Sequence, residues 1–425
     1  MDAFLSIASQ FITEVGSLLL VPLILFVLGL VVGMKFKTAF RAGLVTGVAL
    51  VGIYTVLGMF MNTLQPVALG IAGRFAGGMR LTFMDVGWPA CFAAGVALPV
   101  VISYVLIGAL INLVLVVIGW IKTLQIGMVE PIMGEGLVGY IVFAITGNWF
   151  YGLIASLLIK VLMLVLADWQ APMVEEFFGF KGVALIQSGV NEWGLLAWPL
   201  AKLMDKIPFL NKRRFTADWV ASKLGVFGEP MFLGVIFGIV LGILAGYTWT
   251  QVIVLAIYLA AAMYILPRMI GILMEGFIPV MRGVGDWLQS HAKGRQIYIG
   301  MDPALGTGHP AILATVMIMI PITVGIAVIL PGNKVLPMGD LVTLVFTFMF
   351  LVVMNKGDIL RSLITCIIAV PILLWMATLG APYIHQILLD AKLVEPGVNS
   401  MCLFEGGQPW YWPFAQLATL ISGGG

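Results

Sequence analysis

Residues 92–120 read FAAGVALPVVISYVLIGALINLVLVVIGW, a stretch without a single acidic or basic side chain. A helix needs about 20 predominantly apolar residues to cross a bilayer. The whole chain of 425 residues is 61% hydrophobic and 10% charged, whereas soluble domains carry roughly 25% charged residues. So few charges cannot cover a water-exposed surface, and we therefore predict an all-α polytopic membrane protein. The net charge of +2 gives no reason to expect a nucleic-acid partner.

Ten apolar stretches, numbered here in chain order, are candidates for spanning helices. They cover approximately residues 15–33, 42–61, 92–120, 136–147, 150–167, 231–246, 250–267, 311–330, 340–354 and 360–378. Several are short and interrupted by Gly or Pro. Irregular backbone at membrane depth is tolerated only where protein or a water-filled cavity surrounds it. The interruptions therefore predict a cavity inside the protein.

Basic residues predict the orientation, because cytoplasmic loops of membrane proteins carry an excess of Lys and Arg. With the N-terminus outside, the predicted inner loops hold sixteen Lys and Arg residues and the outer segments hold four. The opposite orientation would reverse this bias. We predict an external N-terminus and a main cytoplasmic loop over residues 201–224. The N-terminus lacks a basic n-region and a small-residue cleavage site, so we expect no removable signal peptide.

The two halves of the chain share motifs that occur in the same order. Met133-Gly134-Glu135 opens the fourth stretch, and Met338-Gly339-Asp340 opens the ninth. The other matching pairs are Gly29-x-x-x-Gly33 with Gly238-x-x-x-Gly242, Gln65-Pro66 with Ile278-Pro279, Asp85 and Pro89 with Asp302 and Pro310, Ala171-Pro172 with Ala381-Pro382, and Trp198-Pro199-Leu200-Ala201 with Trp412-Pro413-Phe414-Ala415. Five spans per half is an odd number, so the second copy must be inverted in the membrane. Inverted repeats are typical of secondary transporters, which bind substrate near the midplane at broken helices.

This repeat predicts the domain organisation. We expect a first inverted repeat with a hairpin over residues 1–204, a cytoplasmic basic loop over 205–224, and a second inverted repeat with a hairpin over 225–425. Each repeat ends in an apolar piece that Gly, Pro and polar residues interrupt, at 183–204 and 401–422. We interpret both pieces as re-entrant hairpins, and two further full spans are the alternative interpretation.

Polar side chains inside these segments are the candidates for a binding site, because such groups are costly in a membrane. The candidates are Asp85, Gly87, Trp88, Glu135, Gln187, Asn191, Asp302, His309, Asp340 and Glu405. Carboxylates and amides form hydrogen bonds with hydroxyl groups, so the set predicts a polyhydroxylated ligand. Other roles remain open, since Glu135 or Asp340 can cap a helix, and Trp88 can be an interfacial aromatic residue.

Several function classes lack support in the sequence. There is no Gly-rich phosphate-binding loop, and no spacing of His, Cys and carboxylates indicates a metal centre. Cys91, Cys366 and Cys402 are scattered and fit no CxxC motif, so we expect ordinary buried residues, no metal and no cofactor. A membrane-embedded enzyme is disfavoured because no catalytic dyad is evident. An ion-coupled elevator transporter remains an alternative, in which Asp85, Asp302 or Glu135 would carry a proton or bind sodium.

Seven stretches closely resemble the galactitol-type enzyme IIC of the bacterial phosphotransferase system, which belongs with the ascorbate-type proteins. They are Asp85-Val86-Gly87-Trp88-Pro89, Phe215-Thr216-Ala217-Asp218, Phe227-Gly228-Glu229-Pro230, the segment 242–247, the segment 299–305, Gly308-His309 and the segment 331–341. The similarity covers essentially the whole chain and runs in order. Where the galactitol proteins have a His-Gly pair, this chain has Gln187-Ser188-Gly189.

The resemblance implies a permease of the bacterial cytoplasmic membrane. It implies a homodimer with a moving core domain, a static scaffold domain and a sugar site between them. Soluble or fused IIA and IIB subunits are the implied partners, with phosphoryl groups passing from a IIA histidine to a IIB cysteine and then to the sugar. The IIC chain itself would carry no phosphoryl group. The departure at Gln187 widens the expected substrate to a hexitol, a pentitol or a related sugar.

Overall fold

A computed structural model of the chain describes residues 21–75, 82–127, 129–212, 215–216, 230–291, 296–337, 339–394 and 399–423. The chain is mostly helical in these ranges. Six of the described helices are long and apolar enough to cross a membrane, which confirms a helical polytopic membrane protein. The start of the first predicted stretch and half of the predicted basic loop 205–224, including Arg213 and Arg214, lie outside the described residues.

The described helices differ widely in length along the chain. In order they are α1 Val21–Val31, α2 Phe36–Phe75, α3 Trp88–Ala97, α4 Pro99–Ile118, α5 Pro131–Thr146, α6 Trp149–Phe178, α7 Trp193–Met204, α8 Pro208–Lys212, α9 Pro230–Ala245, α10 Trp249–His291, α11 Pro310–Ile329, α12 Leu344–Thr347, α13 Met349–Met354, α14 Ile359–Asp390, α15 Leu403–Gly406 and α16 Tyr411–Ile421. The first turns of α5 are π-helical, and a 3₁₀ turn, Pro303–Gly306, precedes α11.

Each of the ten predicted stretches contains a helix within the described residues, but two boundaries differ. The third stretch is divided into α3 and α4 at Leu98, whose backbone is extended with φ −97° and ψ 106°. Proline disfavours a helical conformation at the residue before it, so Pro99 ends α3 and begins α4. The ninth stretch begins as turns at Asp340 and forms only α12 and α13. Within the described residues, the fourth and ninth stretches give helices shorter than a full span, Pro131–Thr146 and Leu344–Met354.

Short strands interrupt the helical fold, and the prediction of an all-α protein missed them. They are β1 Phe83–Asp85, β2 Thr123–Gln125, β3 Val183–Leu185, β4 Tyr298–Met301, β5 Val335–Leu336 and β6 Ser400–Met401. Strands of two to four residues are too short to show an alternating pattern in sequence. Pairing of their backbone groups satisfies hydrogen bonds that water cannot reach within the protein.

These strands form two three-stranded parallel sheets. Each sheet combines strands from both halves of the chain, an arrangement called here the exchange of strands. In one sheet, β1 from the first half lies between β5 and β6 from the second. In the other, β4 from the second half lies between β2 and β3 from the first. Within the described residues, the central strand of each sheet is thus hydrogen-bonded only to strands of the other half.

The two predicted hairpins have a shared construction. Residues 183–204 contain β3, a turn and α7, and residues 401–422 contain the end of β6, α15 and α16. The helices α7 and α16 have 12 and 11 residues, fewer than the roughly 20 needed to cross a bilayer. Neither helix is therefore long enough to be a further full span.

Helix packing divides the described residues into two groups. The long helices α2 and α10 pack on each other, and α9 packs on both. The remaining long helices pack with the sheets, for example α6 on β3 and α14 on β6. Helix α11 also contacts α2, and the candidate site lies near this boundary between the two groups.

Candidate functional site

A small cavity lies between α2 and the connections that carry the strands. Its volume is about 130 Å³. Its lining residues come from both halves of the chain: Tyr54, Gly58, Trp88, Val129, Gln187, Asp302, Ala304, Thr343, Phe346 and Phe404. Three of the predicted site residues, Trp88, Gln187 and Asp302, are among them. The structure therefore brings these three side chains together from distant parts of the sequence.

Asp302 contributes a carboxylate to the cavity from the turn before α11. Its Oδ1 accepts a hydrogen bond from the Ala304 backbone N–H at 2.9 Å and caps the 3₁₀ turn. Within the described ranges, the other carboxylate oxygen makes no hydrogen bond, and the side chain is only half-buried. Asp302 therefore has one oxygen fixed by the fold and one that a ligand can use.

Gln187 lines the cavity, and Asn191 holds the backbone of the same turn. The Asn191 Oδ1 accepts from the Gln187 backbone N–H at 2.7 Å. Its Nδ2 donates to the Leu185 carbonyl oxygen at 2.9 Å and to Gln170 Oε1 at 2.6 Å. Asn191 is fully buried and does not line the cavity. Its hydrogen bonds position Gln187, so Asn191 acts on the site through the backbone.

The carboxylates of Asp85 and Asp340 form hydrogen bonds that hold together the segments after β1, β5 and β6, beside the cavity. The Asp85 carboxylate accepts from the backbone N–H groups of Gly87 at 3.1 Å, Leu403 at 3.0 Å and Asp340 at 2.7 Å. Asp85 and Asp340 were predicted as substrate-binding residues, and neither lines this cavity.

The Asp340 carboxylate completes this arrangement. It accepts from the Trp88 N–H at 2.7 Å and from the Phe404 N–H at 2.9 Å. Trp88 and Phe404 both line the cavity, so Asp340 holds the backbone of two lining residues. The indole Nε1 of Trp88 is buried and has no hydrogen-bond partner within the described residues.

Gly87 is required by geometry at this junction. Its φ of +87° lies in the region that favours glycine. A Cβ atom there would lie 3.3 Å from the Gly339 carbonyl oxygen. Gly87 therefore allows the β1 connection to approach residue 339 closely, and it does not itself line the cavity.

Glu135 belongs to a separate buried network. Its Oε1 lies 3.1 Å from Lys160 Nζ, and both side chains are almost completely buried. Lys160 also donates to Gln125 Oε1, and Gln125 Nε2 donates to Glu130 Oε2 at 2.9 Å. A basic residue inside an apolar stretch needs a buried partner, so Lys160 within 150–167 was the available sequence signal for this network.

Glu405 also lies outside the cavity, among buried cysteines. Both of its carboxylate oxygens are buried without a hydrogen-bond partner in the described part of the chain. One possible ligand atom each from Cys91, Cys402 and Glu405 falls within 4.8 Å of the others. All three cysteines are free and buried as expected, but the linear spacing gave no indication that Cys91 and Cys402 meet.

His309 lies in a different cavity, whose volume is about 490 Å³. It precedes α11, and its Nδ1 accepts from the Ala311 backbone N–H at 3.3 Å. Its ring centroid lies 4.3 Å from that of Phe177. His309 and Asp302 are close in sequence but line different cavities.

The smaller cavity has the chemistry to bind hydroxyl groups. A carboxylate accepts hydrogen bonds, a primary amide both donates and accepts, and an indole N–H donates. Aromatic rings of Trp88, Phe346 and Phe404 add apolar surface. We did not predict Tyr54, Phe346 or Phe404 as site residues, because aromatic residues inside apolar stretches do not stand out from ordinary packing residues.

Comparisons with known proteins agree on one family. The family model EIIC-GAT, described as the sugar-specific permease component of the PTS system, matches residues 10–397. The galactitol-specific EIIC component of the PTS system from Escherichia coli (strain K12) is 31% identical over 408 residues, covering 96% of this chain and 90% of the relative. A putative permease IIC component from the same strain is 31% identical over 416 residues, covering 97% of this chain and 94% of the relative.

Proposed function

The chain belongs to the sugar-specific permease components of the phosphotransferase system, and from that premise we propose that it binds a polyol in the 130 Å³ cavity. Galactitol or a related hexitol or pentitol is the proposed substrate, because the E. coli relatives are named as galactitol-specific. The observation that carries the proposal is the convergence of Asp302, Gln187 and Trp88 on one cavity.

The cavity residues suit an uncharged polyol. The unoccupied oxygen of Asp302 and the amide of Gln187 can each accept a hydroxyl proton, and the indole N–H of Trp88 can donate to a hydroxyl oxygen. Gln187 and the Nε1 atom of Trp88 are buried, and burial makes an unmet hydrogen bond costly. Asp302, Gln187 and Trp88 are therefore proposed to contact substrate directly, whereas Asp85, Gly87, Asn191 and Asp340 are proposed to position them.

The volume suggests that the site must widen during transport. Ligand pockets usually measure roughly 300–1,000 Å³, and this cavity has about 130 Å³. Tyr54 and Gly58 of α2 form one wall, and the connections carrying the strands form the others. We propose that α1, α2, α9 and α10 form a scaffold and that the remaining helices form a core. Movement of the core past α2 would then open the cavity.

The exchange of strands supports the inverted repeat. Swapping β1, β2 and β3 for β4, β5 and β6 converts one sheet into the other, as a two-fold relation between the halves requires. The long helices also correspond, since α2 has 40 residues and α10 has 43. We propose inverted repeats at 1–204 and 225–425 joined by the loop 205–224. Each repeat would end in a re-entrant hairpin, and the N-terminus would lie outside.

Membership of this family also indicates which proteins the chain works with. Permease components of this system work with IIA and IIB subunits at the bacterial inner membrane, and the apolar helices fit a multi-pass protein there. We propose that the chain forms a homodimer and presents the bound polyol to IIB. The ion-coupled alternative has no specific observation in its favour, because the similarity extends over almost the whole chain to phosphotransferase permeases.

Calorimetric titration of the purified protein with a panel of hexitols and pentitols tests the site. Asp302→Asn removes the charge and keeps the shape, so it should weaken polyol binding by roughly tenfold to a hundredfold. Glu275→Gln is the control, because Glu275 is exposed on α10, away from the cavity. Unchanged affinity in Asp302→Asn, Trp88→Phe and Gln187→Ala alike would rule out this cavity.

A further inference from the structure

The cavity of about 490 Å³ is large enough for a ligand and is not explained by polyol binding in the smaller one. It lies among α6, α7, the start of α11 and the end of α13. Its chemically distinctive lining residues are Glu176, Phe177, Trp198, Lys202, Asp205 and Lys356, together with His309. The cavity thus combines aromatic rings, carboxylates and cations.

The charges in this cavity leave an excess of positive charge. Glu176 Oε1 lies 3.3 Å from Lys356 Nζ, and Asp205 Oδ1 lies 2.8 Å from Nη2 of Arg361. Each carboxylate is therefore matched by a cation. Lys202 forms no ion pair with any described residue, and its Nζ lies 5.9 Å from the centroid of the Trp198 ring.

The start of α11 adds to this positive potential. Pro310 and Ala311, the first residues of the 20-residue helix, line the cavity. A helix N-terminus carries a partial positive charge. Because the Nδ1 of His309 accepts from Ala311 N–H, the Nε2 nitrogen carries the proton in the neutral ring and is a donor. Lys202, this helix end and His309 together favour an anionic ligand.

Three chain segments connect the two cavities. The turn from Asp302 to His309 lines the smaller cavity at its beginning and the larger one at its end. The same holds for the segment from Gln187 to Trp198, and for the segment from Phe346 to Val353. Each of these segments therefore contributes to the walls of both cavities.

The basic residues also indicate which side of the membrane this cavity faces. Lys202, Lys356 and Arg361 all fall in loops that the charge bias assigns to the cytoplasm. On the proposed function, the polyol is phosphorylated on that side. Phosphorylation converts a neutral polyol into a ligand with a charge of about −1.5 to −2 at pH 7.

We propose that the larger cavity binds the phosphorylated polyol before its release, which rests on the proposed function. The phosphate lies between Lys202 and the start of α11. The carbon chain lies against Trp198 and Phe177, and its hydroxyl groups face Asp205 and Glu176. Neutral polyol has no group to pair with Lys202, so the site favours product over substrate. The exposure of Lys202 and Lys356 leaves the phosphate partly solvated, and this permits release.

Calorimetric titration of the full-length protein tests this proposal. The probes are galactitol, galactitol phosphorylated on a terminal hydroxyl, and inorganic phosphate. Lys202→Gln should weaken binding of phosphorylated galactitol by about fivefold at low salt and leave galactitol binding unchanged. Trp198→Leu should weaken phosphorylated galactitol more than inorganic phosphate. The matched control is Lys206→Gln, which removes an exposed charge outside the cavity.

Each result separates this inference from the proposed function. If Lys202→Gln and Lys206→Gln have equal effects, or if phosphorylated galactitol does not bind, the product site is wrong even where polyols still bind through Asp302. If inorganic phosphate binds as tightly as phosphorylated galactitol, the cavity recognises only an anion and the assignment to product fails. If no polyol binds at all, the proposed function fails, whereas Lys202-dependent binding of the phosphorylated probe would still support this cavity.

Discussion

The backbone N–H of Asp340 donates to the Asp85 carboxylate at 2.7 Å, although 255 positions separate the two residues in sequence. The relation is nearly reciprocal, because the Asp340 carboxylate accepts from the N–H of Trp88, three residues after Asp85. Two acidic side chains therefore serve as acceptors for backbone groups that water cannot reach. The junction holds Trp88 and Phe404 against the cavity without either carboxylate entering it.

This junction predicts that Asp85→Asn lowers stability more than it lowers intrinsic affinity. An amide in place of the carboxylate removes a charge that accepts three backbone N–H groups, and each bond to a charged group contributes roughly 1.5–3 kcal/mol. The apparent melting temperature in detergent should fall clearly, and it should fall much less in Asp302→Asn. A stable Asp85→Asn protein that no longer binds polyol would instead indicate a direct ligand role.

The ion pair between Lys160 and Glu135 predicts a rescue by a second substitution. Lys160→Met leaves a buried carboxylate without its cation, which should cost about 3–5 kcal/mol. Replacing both residues, as Lys160→Met with Glu135→Gln, removes the uncompensated charge and should recover much of the folded yield. Fluorescence-detected elution profiles measure this directly. A double variant no better than Lys160→Met would show that the pair does not act as a unit.

Two glycines with positive φ predict different effects on polyol binding when each is replaced by alanine. Gly189 has φ +88°, and a Cβ there would lie 2.8 Å from the ring of Phe404. Gly147 has φ +67°, and a Cβ there would meet no atom within 4 Å. Both Ala variants should lose about 1 kcal/mol from backbone strain, but only Gly189→Ala should also displace Phe404 and weaken polyol binding. Equal affinities in the two variants would contradict this.

The orientation predicts the accessibility of two exposed lysines. Single cysteines at Lys206 and Lys392 should react differently with a membrane-impermeant thiol reagent added to intact cells, with position 392 labelled and position 206 protected. The native cysteines are buried and should contribute little background. Permeabilised cells give the control, because both positions are exposed and should then react. Labelling of position 206 in intact cells would invert the proposed topology.

Asp85 and Asp302 show how much of the candidate site could be predicted from sequence alone. Both lie in Gly- and Pro-rich connections at matching places, so the residues alone favour the same role for each. The structure separates them, because distant N–H groups of Asp340 and Leu403 occupy Asp85, whereas a single local N–H caps Asp302. Local sequence cannot predict contacts that the other half of the chain provides.

Helical segments were easier to predict than their interruptions. Long apolar runs identify α4, α6 and α11 because a spanning helix must be apolar along most of its length. The strands β5 and β6 have two residues each and exist only through pairing with β1. Likewise, Phe404 is recognisable as a cavity residue only once the backbone bond to Asp340 brings it near Trp88.

The exchange of strands has a consequence for how the protein is made. Strand β1 leaves the ribosome early, yet Met84 pairs with Leu336 and Ser400, so both of its neighbours are synthesised much later. Contacts between residues so far apart in sequence form slowly. Strand β1 therefore keeps unpaired backbone groups until β5 and β6 have been synthesised. Loss of the segment that contains β6 would leave β1 without one of its two neighbouring strands, however many helices had already inserted into the bilayer.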